Sequence, residues 1–259
     1  MKTFILLLAG FIFEPATPVK TTGMLPVPTG YTRLPAAPGS LAGWLRTVPL
    51  KNNNTVYLYD GRPKANQQAQ YAVLDVTVGK KDLQQCADAV MRLYAEYCYA
   101  GRQYAKIAFH ATDGTMMDYN SWRNGYRFVI RQHRLQKVKT AAPSDTRESF
   151  DQYLQVVFSY AGTLSLQREL KPVSAAAEVI PGDVFIQGGS PGHAVIVMDV
   201  IQDAKGTKQF LLAQSYMPAQ DIHILRNPQG NSPWYNTAFG DQLYTPEWTF
   251  GKNSLYRWP

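Results

Sequence analysis

The stretch from Gly182 to Asp199 limits the possible folds more than any other part of the chain. An apolar run, Val184-Phe185-Ile186, enters a loop of small residues and proline, Gly188-Gly189-Ser190-Pro191-Gly192. A second run rich in β-branched residues, Ala194-Val195-Ile196-Val197, leaves it. This is the pattern of two strands joined by a tight connection. His193 stands where the second strand begins. A sheet holds a histidine there on one side while the glycines keep bulk away, so the imidazole is fixed in direction and open to a ligand, as a general base requires. A hairpin whose first residue happens to be histidine reads the same way, so the choice between them turns on a partner elsewhere in the chain.

The two cysteines are the candidates. The N-terminus reads as a targeting segment: Lys2 supplies a positive start, and Phe4 to Phe13 is an almost unbroken apolar core of signal-peptide length, too short for a lasting anchor. Residues 1 to about 20 are expected to be removed, and nothing later reaches transmembrane length, so the mature protein is expected to be exported, periplasmic or extracellular, with no transmembrane anchor. Cys86 and Cys98 lie in one helical pattern, with Leu83, Cys86, Ala87, Val90, Tyr94 and Tyr97 repeating at three and four. Twelve residues of helix hold the two thiols about 18 Å apart, beyond disulfide reach. Cys98 reads as a small core residue. Cys86 differs by position. Asp82 as cap, with Gln85 completing a capping box, would put it in the first helical turn, where free N–H groups and the helix dipole lower a thiol pKa. The same residue can instead simply pack in the stripe with Leu83 and Val90.

The remaining elements follow in order. Pro-rich residues 21 to 40 form an entry to the domain, Ser40 caps a short helix that Pro49 ends, and Tyr71 to Val78 alternates as a strand. Ile107 to Phe109 and Tyr126 to Arg131 read as strands around a loop from Asp118 to Gly125. That loop concentrates aromatic and hydrogen-bonding groups, so Trp122, Arg123 and Tyr126 are candidate substrate contacts, together with Ser190 of the glycine loop. A second helix is expected from Asp145, with Phe150, Leu154, Val157, Ala161 and Leu164 as its stripe and Lys171-Pro172 as its end. After the His193 strand, Phe210 to Ser215 returns antiparallel. A turn near residue 205 places His193 opposite residues 216 to 217 with Gln214 diagonal to it. Gln214 is the expected orienter, its carboxamide oxygen accepting from the imidazole; a one-residue slip would substitute Ser215 or Tyr216. Asp221 to Leu225 is a further strand, and Trp248, Phe250, Tyr256 and Trp258 finish the core. There is no internal repeat and no linker. Residues 21–259 read as one α+β domain.

A cysteine in a first helical turn, a histidine opening a strand and a polar residue on the next strand make up the layout of a Cys/His nucleophile system. The segment Gly182-Asp183-Val184 followed by Gly192-His193-Ala194-Val195-Ile196-Val197 resembles the second half of the NlpC-type and CHAP-type cell-wall amidases. That resemblance implies a papain-like fold, with an antiparallel sheet packed on a central cysteine-bearing helix, and covers residues 80 to 216 in order of elements. Two features depart from the pattern: Cys86 is followed by Ala87-Asp88 rather than Ser or Gly, and about a hundred residues separate it from His193. The whole mature chain also resembles exported bacterial proteins grouped as a domain of unknown function (family 4846), in segments such as Asp82-Leu83-Gln84-Gln85-Cys86-Ala87-Asp88-Ala89-Val90 and Ala213-Gln214-Ser215-Tyr216-Met217-Pro218-Ala219-Gln220.

The expectation is an exported cysteine amidase or peptidase without cofactor or metal, with Cys86 as nucleophile, His193 as base and Gln214 as orienter. A net charge of +7 and a pI near 9.3 suit work on anionic polymers, with peptidoglycan peptide or another envelope polymer as partner. No basic run or nucleic-acid motif points to nucleic acid. The alternative is a non-catalytic envelope binding module that keeps the fold. A metal hydrolase built on His193 and His223 with Asp199 or Asp183 lacks the usual ligand spacing.

Overall fold

The computed structural model describes residues 20–259; apart from Lys20, the expected signal segment lies outside the described residues. The chain is mixed α+β, dominated by one antiparallel sheet of nine strands. In chain order these are β1 (Tyr31–Arg33), β2 (Gln70–Val73), β3 (Lys171–Pro172), β4 (Val184–Gln187), β5 (His193–Asp203), β6 (Lys208–Gln214), β7 (His223–Leu225), β8 (Tyr235–Asn236) and β9 (Leu255–Arg257). Their order across the sheet is β2-β7-β6-β5-β4-β9-β3, with β1 on the far half of β5 and β8 on β6. Among the described residues five α-helices, α1 (Leu41–Thr47), α2 (Cys86–Ala100), α3 (Tyr119–Arg123), α4 (Arg147–Tyr160) and α5 (Thr163–Glu169), complete the frame with three small hairpins, over residues 108–118, 126–139 and, as the C-terminal hairpin that carries Glu247, 242–251.

Strand β5 is buried on both faces, which is why it reads as a continuous apolar run rather than an alternating one. Ala194, Ile196 and Met198 belong to the core under the helices, and α2 packs directly on this strand. Val195, Val197 and Val200 join Phe185, Phe210, Phe250 and Leu255 in a second core on the opposite face. Each of these fully buried branched or aromatic side chains contributes about 1.5–3 kcal/mol. A register shift between Leu211 and Leu212 re-aims the end of β6 towards β7.

Two buried carboxylates tie the chain ends to this sheet. Asp199 accepts from Arg33 Nε (2.7 Å) and from Arg46 Nη2 (2.7 Å), fastening β1 and α1. Asp183 takes a two-pronged contact from Arg257 (2.7 and 2.8 Å), fastening the C-terminal strand, and accepts from the Ile180 N–H (3.0 Å). Both are committed to structure, so neither is a carboxylate partner for His193 or His223.

The helical expectations shift in two places. Helix α4 starts at Arg147 under a Thr146 cap, Thr146 Oγ1 accepting from Ser149 N (3.2 Å), rather than at Asp145. It stops at Tyr160, and α5 is a separate helix. Gly162 is extended there, with its N–H satisfied by Ser165 Oγ (3.1 Å), so the periodic stripe does not run through and Leu164 ends up exposed.

Candidate functional site

Cys86 is the first residue of α2. The cap is Gln85, not Asp82: the Asp88 carboxylate reaches back to the Gln85 N–H (3.0 Å). Asp82 is diverted, its Oδ1 accepting from Gln85 Nε2 (3.1 Å) and from Ala219 N (2.7 Å). Starting the helix at Cys86 leaves the first N–H groups without carbonyl partners in the helix. The backbone N–H groups of Cys86, Ala87 and Ala194 act to lower the thiol pKa. Ala194 follows His193 in the chain, so the thiol sits against the first peptide of β5.

The expected low thiol pKa is not found. Burial pushes Cys86 up to about 11, and the neighbouring Asp88 charge adds to the rise against the three backbone donors. Asp88 is itself driven to about 8, because burial outweighs its capping hydrogen bonds. A helix start favours the thiolate, but here desolvation is the larger effect.

His193 is 1% exposed, held between the rings of Tyr216, Trp248 and Phe250 at centroid distances of 5.0, 5.2 and 5.8 Å. Its Nε2 lies 2.9 Å from Gln214 Oε1. The register set at the turn, with Leu211 opposite Asp199, runs towards Met217 opposite His193; the shift between Leu211 and Leu212 puts Ala213 opposite Ile196 instead, which carries on to bring Tyr216 level with His193 and leaves Gln214 diagonal. Burial lowers the imidazole to about 4, against the opposing pull of the Gln214 hydrogen bond and the Glu247 charge, so the ring is neutral at pH 7. Tyr216 is raised chiefly by burial, with contributions from the charges of Glu247 and Cys86, and its ring lies 5.0 Å from that of His193.

Behind His193 the polar contacts continue. Gln214 Nε2 donates to Glu247 Oε2 (2.7 Å), and Lys64 Nζ reaches the same oxygen at 2.5 Å. Gln214 Nε2 also faces His223 Nε2 at 3.5 Å, while His223 Nδ1 lies 2.9 Å from the Asp221 carbonyl oxygen. His223 thus meets a carboxamide and a peptide carbonyl. Among the described residues no cluster of His, Cys, Asp and Glu could hold a metal ion.

A pocket of about 280 Å3 opens over the thiol, lined by Cys86, Asp88, Phe158, Thr163, Met217 and the loop from Gly189 to Gly192. Gly192 is required by close approach: a Cβ there would meet Thr163 Oγ1 at 2.5 Å, Gly189 O at 2.6 Å and Gln187 O at 2.8 Å. Thr163, at the start of α5, accepts from the Gly189 N–H (3.4 Å) and donates to its carbonyl (3.3 Å), holding the loop over the site.

Of the candidate residues, Cys86 and Ser190 line this pocket, whereas His193 and Gln214 are buried and do not line it. Trp122, Arg123 and Tyr126 do not line it. The expected loop is helix α3, Trp122 is 4% exposed with Nε1 donating to Ser149 Oγ (3.0 Å), and Arg127 covers its outer face. Arg123 stacks on Tyr104 and pairs with Asp145, while Tyr126 sits beside Lys137 and Lys139. Trp122 belongs to the core. Glu247, Lys64, Asp88 and Thr163 carry no sequence signal that marks them as site residues; Glu247 is simply an acid between Pro246 and Trp248 in the C-terminal stretch.

No curated protein and no solved structure matches this chain. A family match extends over residues 22–257, almost all of the described chain, including the Cys86 helix, the His193 strand and the Glu247 hairpin. The chain belongs to the family described as Domain of unknown function (4846).

Proposed function

We propose that this protein is an exported cysteine hydrolase of amide bonds, with a papain-like arrangement of Cys86 as nucleophile, His193 as general base and Gln214 as the group that orients it. The observation that carries the reading is the combination at one end of the sheet: a thiol at a helix start facing the Ala194 N–H, and the adjacent imidazole hydrogen-bonded through Nε2 to Gln214. With the thiol near 11 and the imidazole near 4, both rest neutral. Attack then needs proton transfer in the same step. The Cys86 proton passes to His193 Nδ1 as sulfur bonds to the carbonyl carbon, and the developing oxyanion is met by backbone N–H groups at the start of α2. The C–N bond breaks as the imidazolium returns the proton to the leaving amine. Water, deprotonated by His193, then attacks the thioester carbon; the C–S bond breaks, the imidazolium returns the proton to the Cys86 sulfur, and the acid is released. The exported setting and the net charge of +7 favour peptides of the cell envelope, peptidoglycan stem peptides first, as substrates.

A second reading is a non-catalytic binding module of the envelope that keeps this fold. The burial of His193 and the raised thiol favour it, because neither group is activated at rest. Incubation with defined stem peptides and mass analysis of the products decides between them. Cleavage by the wild type that disappears in Cys86→Ala and in His193→Ala supports the hydrolase. Undiminished cleavage by Cys86→Ala, or binding without cleavage by both proteins, overturns it.

A further inference from the structure

We propose that Glu247, through Gln214, determines which nitrogen of His193 carries the proton, making it a positioning residue; its catalytic meaning rests on the hydrolase reading above. A carboxylate accepts hydrogen bonds and donates none. The Gln214 group 2.7 Å from Glu247 Oε2 is therefore the amide NH2, which turns Gln214 Oε1 towards His193. A carbonyl oxygen also only accepts, so His193 Nε2 must be the protonated nitrogen. In a neutral ring Nδ1 then keeps its lone pair, the form able to take a thiol proton.

Glu247 is built to hold this polarity. Lys64 Nζ contacts Oε2, Asn66 Nδ2 donates to Oε1 (3.1 Å), and the Thr245–Trp248 turn that carries Glu247 is closed by the Thr245 N–H on Trp248 O (2.8 Å) and by the Trp248 N–H on Thr245 Oγ1 (3.1 Å). His223 reinforces it from the other side. Its Nδ1 faces the Asp221 carbonyl, so Nδ1 is protonated and Nε2 is an acceptor for the second Gln214 N–H. The two buried histidines are thus assigned opposite tautomers, with one carboxamide between them and a fixed carboxylate imposing the sense.

Nitrogen-15 NMR of the imidazole rings tests this directly, in the wild type and in Cys86→Ala, without reference to turnover. The expected spectrum has His193 protonated at Nε2 and His223 at Nδ1. A His193 protonated at Nδ1 in the wild type overturns the proposal. Two variants probe the cause. Glu247→Gln keeps an acceptor oxygen beside Lys64 and retains the Nε2–H form. Lys64→Met/Glu247→Leu removes the acceptor together with the ammonium that would otherwise be stranded, and lets the Nδ1–H form of His193 appear. On a cleaved peptide, the double variant lowers kcat about tenfold or more with little change in KM, as expected for loss of a charge-assisted hydrogen bond. An unchanged His193 tautomer in the folded double variant overturns the proposal and leaves the hydrolase reading standing. A shifted tautomer in a protein that cleaves nothing supports the positioning role and removes the hydrolase reading.

Discussion

Alkylation of Cys86 against pH, in a Cys98→Ala background, bears most directly on the resting state of the site. Only the thiolate reacts with iodoacetamide at an appreciable rate. With the thiol near 11, about 3 in 10,000 molecules carry a thiolate at pH 7.5, against about 9 in 100 for an ordinary thiol of pKa 8.5. The expected rate is therefore about 300-fold below that of the same cysteine in the unfolded chain, and it rises tenfold per pH unit from 7 to 10 without a plateau. Asp88→Asn removes the charge that raises the thiol, while its carboxamide oxygen still accepts from the Gln85 N–H, so the curve moves to lower pH. His193→Ala leaves the slope unchanged, since a neutral imidazole is no counter-ion. A wild-type curve with an inflection near or below pH 7 that disappears in His193→Ala would refute this reasoning. It would show that the pair rests as thiolate and imidazolium, with desolvation weaker than the burial of Cys86 implies.

Three further outcomes are expected. His193 and His223 are held near 4, below their ordinary 6.5, and Asp88 near 8, above its ordinary 3.8. Between pH 4 and 6.5 the unfolded chain therefore binds two more protons on the histidines and one fewer on Asp88, so stability from these groups rises with pH by about 1.4 kcal/mol per unit; between 6.5 and 8 only the Asp88 difference remains and stability falls at the same rate. Denaturant titration across pH 4–8 should show a maximum near 6.5, and Asp88→Asn should abolish the falling limb. Asp199→Ala strands Arg33 and Arg46 and is expected to cost about 3 kcal/mol, the low end for a broken buried pair because both arginines are partly exposed, measurable by chemical unfolding. Trp122→Ala is expected to cost about 3–5 kcal/mol by leaving a core cavity. Its alkylation curve at Cys86 should match the wild type at temperatures where both are folded.

Much of the sheet was legible because its signals are local. The runs on either side of Gly188-Gly189-Ser190-Pro191-Gly192 form β4 and β5, and the antiparallel return of β6 follows from a turn at residues 203 to 206. With that turn placed, strand period alone would bring Met217 level with His193; the register shift between Leu211 and Leu212 is what brings Tyr216 level and leaves Gln214 diagonal. Where the sequence reading missed, two local signals competed. Asp82 and Gln85 both resemble a cap, and Ala219, a residue distant in sequence, settles the matter by taking the Asp82 carboxylate. Trp122 in a polar segment looks like a binding loop until Ser149 and Arg127 close over it.

Residue order and spacing determined the strands that frame the site, the separation of the two thiols, and the histidine at the head of β5; that Cys86 opens α2 was decided by the Ala219 contact that diverts Asp82. Tertiary structure alone decided their chemistry. Whether a helix-start cysteine is a thiolate depends on how much water the surrounding chain removes from it, and here burial brings the thiol near 11 against the lowering effect of three backbone N–H groups. Glu247 is 161 residues from Cys86 in the chain, and no periodicity links them. Its place behind Gln214 exists only because the β6 end and the C-terminal hairpin pack together, and hydrogen-bond polarity carries no trace in a sequence until donors and acceptors meet in space.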